Sequence, residues 1–226
     1  MLTTYEVRWF YAGNIPENVE CWFKHNCLLS PIKIPEKRED VYLYAPKCDY
    51  LGIKLRQGAL EIKWRYPQSN PIHFGSLIEG NLEKWKKWRC LDSTEETVQL
   101  AQIGDNPIWL RVAKIRYSQL YQVTANTAKP VSTDIDIDNG CSLELTNVKI
   151  NGNSWWSIAL ESFGEDSKLK NNLQLTADFV FRNYNIFPLQ LENSYSYPSL
   201  LTVDSYQLTK PRWGADGDWV LGDGEE

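Results

Sequence analysis

Seven cationic side chains recur at alternate positions of four strand-like segments: Arg8, then Lys54 and Arg56, then Lys63 and Arg65, then Lys114 and Arg116. Arginine grips phosphate oxygens through a planar two-pronged donor, and lysine acts on them as a point charge. Residues of these types on one face of a sheet can therefore neutralise a phosphorylated ligand. If the sheet closes with that face inward, it makes a basic lumen that focuses its field on a small polyanion. If the sheet stays open, the same pattern is a solvated face bearing Lys and Arg. Spacing alone leaves both arrangements open.

The segments that must place these cations alternate with period two. Thr4 to Phe10 reads as a strand, with Tyr5, Val7 and Trp9 on one face and Thr4, Glu6 and Arg8 on the other. Leu51 to Gln57 and Ala59 to Arg65 read as a hairpin turning at Gly58, apolar on one face and charged on the other. Val41 to Tyr44 and Pro107 to Tyr117, extending toward Thr124, add two strands. Ser142 to Val148 and Trp155 to Glu161 form a hairpin around Asn151-Gly152-Asn153. Helices are expected over Glu17–Phe23, over 76–90 (basic and aromatic, with Trp85 and Trp88 on one face), over Ser167–Arg182 and over Tyr197–Asp204. The class is mainly β (α+β), in one domain over residues 1–210, with an acidic flexible tail at 211–226.

Bulk properties narrow the function. The chain has 226 residues and a net charge of -5, with ten Trp, twelve Tyr and one Met. That length buries a core without disulfides, and the acidic balance argues against general nucleic-acid binding. No charged-then-apolar leader and no membrane-spanning run is present, so a cytoplasmic chain with reduced thiols and no membrane partner is expected.

Familiar catalytic patterns are missing. Cys21, His25 and Cys27 lack a second ligand pair with zinc-site spacing. His73 has no triad partners nearby. Asp134-Ile135-Asp136-Ile137-Asp138 resembles a calcium loop but has Leu145 where the closing Glu would stand. There is no Gly-rich phosphate loop and no nucleophile elbow.

Several stretches, in order, resemble the CYTH superfamily of triphosphate-tunnel enzymes, which includes CyaB-type adenylyl cyclases and thiamine triphosphatases. Thr4-Tyr5-Glu6-Val7-Arg8 is similar to its opening Glu-x-Glu-x-Lys strand, with the first Glu lost and Arg for Lys. Leu51-Gly52-Ile53-Lys54, Leu60-Glu61-Ile62-Lys63 and Arg111-Val112-Ala113-Lys114-Ile115-Arg116 resemble its basic strands. Leu145-Thr146-Asn147-Val148, Gly152 and Ala159-Leu160-Glu161 resemble its acidic hairpin, and Ser196-Tyr197-Pro198-Ser199-Leu200-Leu201 its late helix.

The resemblance covers residues 4–201. It implies an eight-stranded antiparallel tunnel barrel with flanking helices, in which cations hold a triphosphate and glutamates hold Mg²⁺ or Mn²⁺. On it, the phosphate-binding set is Arg8, Lys54, Arg56, Lys63, Arg65, Lys114 and Arg116, and the metal ligands are Glu6 and Glu161, with Glu61 and Glu144 as extras. Thr4, Thr146 and Ala159 stand where the family has acids.

The expected partner is a small polyanion such as a triphosphate or nucleotide, and a homodimer is compatible with the pattern. Weak metal-dependent triphosphate hydrolysis is one outcome, and a binding or interaction module without catalysis is the other. A third reading, a lipocalin-like barrel with an apolar lumen, requires Lys54 and Lys63 to face solvent.

Overall fold

A computed structural model describes residues 1–29, 33–57, 59–91 and 108–209. The expected turn at Gly58 and the tail at 211–226 lie outside the described residues. Nine strands form: β1 Leu2–Ala12, β2 Glu36–Leu43, β3 Leu51–Arg56, β4 Ala59–Phe74, β5 Ile78–Leu91, β6 Trp109–Thr124, β7 Thr127–Val131, β8 Gly140–Ile150 and β9 Asn153–Phe163. Among the described residues three α-helices accompany them: α1 Glu17–Trp22, which runs into a π-helical turn at Phe23–Cys27, α2 Leu169–Val180 and α3 Tyr197–Thr209. None of these helices is long and apolar enough to cross a membrane.

The strands lie in the order β2-β3-β4-β5-β1-β9-β8-β6, and β2 pairs with β6 to close the ring. Every pairing is antiparallel. β7 is a hairpin extension of β6, outside the ring. This is the closed eight-stranded antiparallel barrel that the resemblance implies.

Alternation along β1 explains why the ring has two distinct faces. Val7 and Trp9 point out and are fully buried, while Glu6 and Arg8 point in and are also buried. Outside, α1, its π turn and α2 cover β1, β8 and β9. There Trp22, Phe23, Leu173 and Ala177 pack on Trp9, Leu143, Leu145, Ile158 and Leu160. Each such large apolar side chain stabilises the fold by roughly 1.5–3 kcal/mol relative to exposure. The β8–β9 hairpin turns through Asn151 and Gly152, both at positive φ (49° and 84°), the backbone that an Asn-Gly hairpin turn requires.

One end of the ring is stoppered. Beyond Glu6, β5 no longer pairs with β1, and Ser194–Tyr195 takes its place, with the Tyr195 amide donating to the Arg8 carbonyl at 3.1 Å. The chain then enters α3, whose Leu200 and Leu201 pack on the inward-facing Phe10, Tyr42, Val112, Val148, Ile150 and Trp155. Among the described residues the lumen is therefore a cup that opens at the other end, beside Met1, Gln57 and Arg89.

One expected element is wrong. Residues 76–90 are strand β5 for most of their length, not a helix. β5 pairs with β4 along its full length and with β1 over Leu2–Glu6. As a strand, Trp85 and Trp88 fall on opposite faces. Trp85 is wholly buried on the inward face with Lys87, whereas Lys86 and Trp88 belong to the other.

Candidate functional site

The cup encloses about 780 Å³. Inward-facing positions of all eight ring strands contribute to its wall, because cross-strand partners share a side: Lys54 opposes Glu61, Lys63 opposes Lys87 and Arg116 opposes Thr146. Six of the seven cations singled out from sequence line it: Arg8, Lys54, Arg56, Lys63, Lys114 and Arg116. Lys54 and Lys63 face inward together, which ends the lipocalin-like reading.

Arg65 shares their parity but does not reach the cavity. Its guanidinium is held by Asp49 and Glu83, each at 2.6 Å. Three further cations line the wall: Arg38, Lys87 and Arg89. They escape a sequence reading because Glu36–Asp40 is charged at every position and the basic, aromatic run of β5 reads as a helix. Register supplies the missing signal, since Arg38 is the direct partner of Lys114 and Lys87 of Lys63.

The cations are graded by depth. At the stoppered end Arg8 donates to Glu6 at 2.8 Å, to Glu144 at 3.2 Å and to Ser157 at 3.3 Å, and its guanidinium lies 5.1 Å from the Tyr197 ring centre. Burial lowers the Arg8 pKa, but Glu6, Tyr197 and Glu144 outweigh it and raise the value above the usual arginine range. Lys114 donates to Asp40 at 2.7 Å and to the Tyr42 hydroxyl at 2.9 Å, under the Tyr197 ring at 3.8 Å. Burial, with help from Lys54, pushes the Lys114 ammonium well below its ordinary pKa despite Asp40.

Toward the mouth the side chains become wetter. Arg56, Lys63, Lys87 and Arg116 are about a quarter exposed and Arg89 is half exposed. These groups are the ones a solvent-borne ligand meets first.

Five carboxylates share the wall: Glu6, Glu36, Glu61, Glu144 and Glu161. Each is tied to a cation. Lys63 and Arg8 hold Glu6, Lys87 holds Glu161, and Lys54 and Arg56 hold Glu61. Arg8 and Arg116 hold Glu144, and Arg38 and Arg116 hold Glu36. Burial alone would raise the Glu6 pKa. Lys63, Arg8 and Lys87 overcome it and hold the carboxyl well below the usual range.

For Mg²⁺ or Mn²⁺ the fit is poor. Glu6 and Glu161 are direct cross-strand neighbours, and Glu83 flanks Glu6 on the other side. Yet Glu83 turns to Arg65 and to the Trp85 indole N–H, and Lys63 and Lys87 sit on the other two. Among the described residues no three His, Cys, Asp or Glu side chains converge to hold an ion. Thr4 and Thr146 line the cavity instead, and their buried hydroxyls have no hydrogen-bond partner.

The remaining sequence candidates stay apart from the cup. His25 Nδ1 lies 2.8 Å from the Cys21 carbonyl oxygen, while burial pushes the Cys27 thiol up. His73 is exposed beside Glu79 at 3.4 Å. Asp134 pairs with Lys33 at 2.5 Å.

No protein-family profile matches the chain, and no curated protein is significantly similar to it. Among solved structures it is similar to the PH1819 protein of Pyrococcus horikoshii OT3, with 17% identity and a TM-score of 0.41 over 88% of this chain and 99% of that one. It is also similar to the RNA triphosphatase domain of a trifunctional mimivirus mRNA capping enzyme, with 11% identity and a TM-score of 0.40 over 80% and 90% of the two chains. Likeness at this level does not speak to the ligand.

Proposed function

We propose that the cup binds a small polyanion of the triphosphate class, either inorganic triphosphate or the phosphate chain of a nucleotide. One observation carries the reading: among the described residues, nine cations face five carboxylates in one cavity of a chain whose net charge is -5. Apolar walls and a stoppered end keep that field from being screened by bulk water. Lys54, Arg56, Lys63, Lys87 and Arg116 are the groups placed to meet phosphate oxygens, with the Thr4 and Thr146 hydroxyls as further donors. Arg8 and Lys114 are already enclosed by acids and Tyr197, so their part is to hold the inner wall.

Hydrolysis with Mg²⁺ or Mn²⁺ on Glu6 and Glu161 draws on one observation, their cross-strand adjacency. It is opposed by the two lysines that hold both carboxylates. Binding therefore comes first, and an interaction module without catalysis is compatible with it. Metal-stimulated phosphate release that Glu6→Gln abolishes would reverse that order.

The test of binding is a calorimetric titration with tripolyphosphate against wild type and a Lys54→Ala, Lys63→Ala double variant. Two charge-assisted contacts at about 1.5 kcal/mol each predict a loss of about 100-fold in affinity. Equal affinity in the two proteins, or none in wild type, rejects the reading.

A further inference from the structure

We propose that the cup takes its polyanion free of any divalent cation, and that Glu161 and Glu6 occupy phosphate positions on Lys87 and Lys63 until the ligand displaces them. This rests on the polyanion reading above and specifies the form in which the ligand is bound.

The arrangement of the acids disfavours a divalent cation. A Mg²⁺ ion demands near-octahedral oxygen ligands and takes one or two carboxylates besides phosphate. Along the inward faces of β1, β8 and β9 no acid is followed by another. Thr4 and Arg8 flank Glu6, Ser142 and Thr146 flank Glu144, and Ala159 and Phe163 flank Glu161. The one acidic adjacency that lines the cavity, Glu6 beside Glu161, is capped by Lys63 and Lys87, which are themselves cross-strand neighbours. An entering cation would have to displace both ammonium groups and then lie beside them. An entering phosphate has only to replace a carboxylate on each lysine, so each ammonium keeps an anionic partner.

Each carboxylate also has a way to let go of its lysine. Glu161 is partly exposed at the mouth and can turn to water when Lys87 takes a phosphate oxygen. Glu6 has one oxygen on Lys63 and the other on Arg8 at 2.8 Å, so it can release Lys63 and stay paired. Neither exchange leaves a buried charge alone, which would be strongly unfavourable.

The charge balance of the cup favours the same form of the ligand. Among the described residues, nine lining cations minus five lining acids leaves a surplus of four, or three once Asp40 behind Lys114 is counted. That surplus complements an ionised polyphosphate. Its magnesium complex carries two fewer negative charges and presents a cation to a wall of cations. The unpartnered Thr4 and Thr146 hydroxyls suit the same ligand, since a hydroxyl can donate to a phosphate oxygen.

The experiment is a calorimetric titration of tripolyphosphate into the full chain in EDTA and in excess Mg²⁺, with wild type and Glu161→Gln. The proposal expects binding in EDTA that Mg²⁺ leaves equal or weakens. Freeing Lys87 from an ion pair of modest worth should tighten Glu161→Gln by about two- to fivefold. Binding that requires Mg²⁺ or Mn²⁺, or affinity lost in Glu161→Gln with an unchanged melting temperature, would overturn it. No binding under either condition would instead reject the polyanion reading itself. Should Glu161→Gln fail to fold, the EDTA and Mg²⁺ titrations of wild type decide alone.

Discussion

At the scale of single residues, Arg8 is the group on which the inner wall depends. It is 6% exposed and spans two carboxylates, Glu6 and Glu144, on β1 and β8. Its removal leaves both acids buried with less compensation. Arg8→Ala should therefore cost about 3–5 kcal/mol in a urea unfolding series, as breaking a buried pair from one side does. A cost below about 1 kcal/mol would mean that water replaces the guanidinium and the wall is not enclosed. Glu144 offers a pH test of the same wall. Burial raises its pKa, but Arg116, Arg8 and Arg38 outweigh burial and lower it from 4.5 to about 2. Because the folded value lies below the unfolded one, this carboxylate contributes stability at pH above about 4.5. The contribution fades as pH falls toward 2 and is gone below it. The melting temperature of wild type should fall across that window, and Glu144→Gln should show a shallower fall.

At the scale of elements, the course of β5 depends on Gly80. A Cβ there would come within 2.6 Å of Val7 Cγ2 and 2.7 Å of a Trp9 ring carbon, both part of the outer core. Gly80→Ala should destabilise by about 1–3 kcal/mol, as overpacking does, and a denaturant midpoint compared at equal m-value would show it. Which strands were legible in sequence follows from what each face meets. β1, the β3–β4 hairpin and the β8–β9 hairpin alternate because one face meets apolar core and the other the charged lumen. β5 carries lysines on both faces around Trp85 and Trp88, so its period of two is erased and the basic-aromatic run mimics a helix. The first half of β2, Glu36–Asp40, is charged at every position and is strand only because β6 pairs with it. β7 contains Pro130, which reads as a strand breaker but is tolerated on a strand paired on one side, to β6 alone. Parity marked the inward cations well, and it failed for Arg65 because Asp49 and Glu83, acids outside the cavity lining, draw its guanidinium aside.

At the scale of the whole molecule, the stopper makes entry one-sided. Phe10, Tyr42, Val148 and Leu200 close the far end, so a ligand must pass Arg89 at the mouth to reach Lys63 and Lys87. Arg89 is half exposed, and its ion pair to Glu61 is long at 3.7 Å. A cation so placed attracts an approaching anion without gripping it once bound, and exposed charges of this kind act on association more than on dissociation. Reversing the charge with Arg89→Glu should slow association of tripolyphosphate by about tenfold at low salt, within the range of electrostatic steering. The difference should shrink as ionic strength rises and the Debye length falls to about 8 Å at physiological salt. Stopped-flow traces at several salt concentrations separate the two rates. An unchanged dissociation rate with a salt-sensitive association rate fits a steering role at a single mouth. A faster dissociation rate would place Arg89 in contact with the bound phosphates, and an unchanged association rate would mean that Arg89 does not steer the ligand.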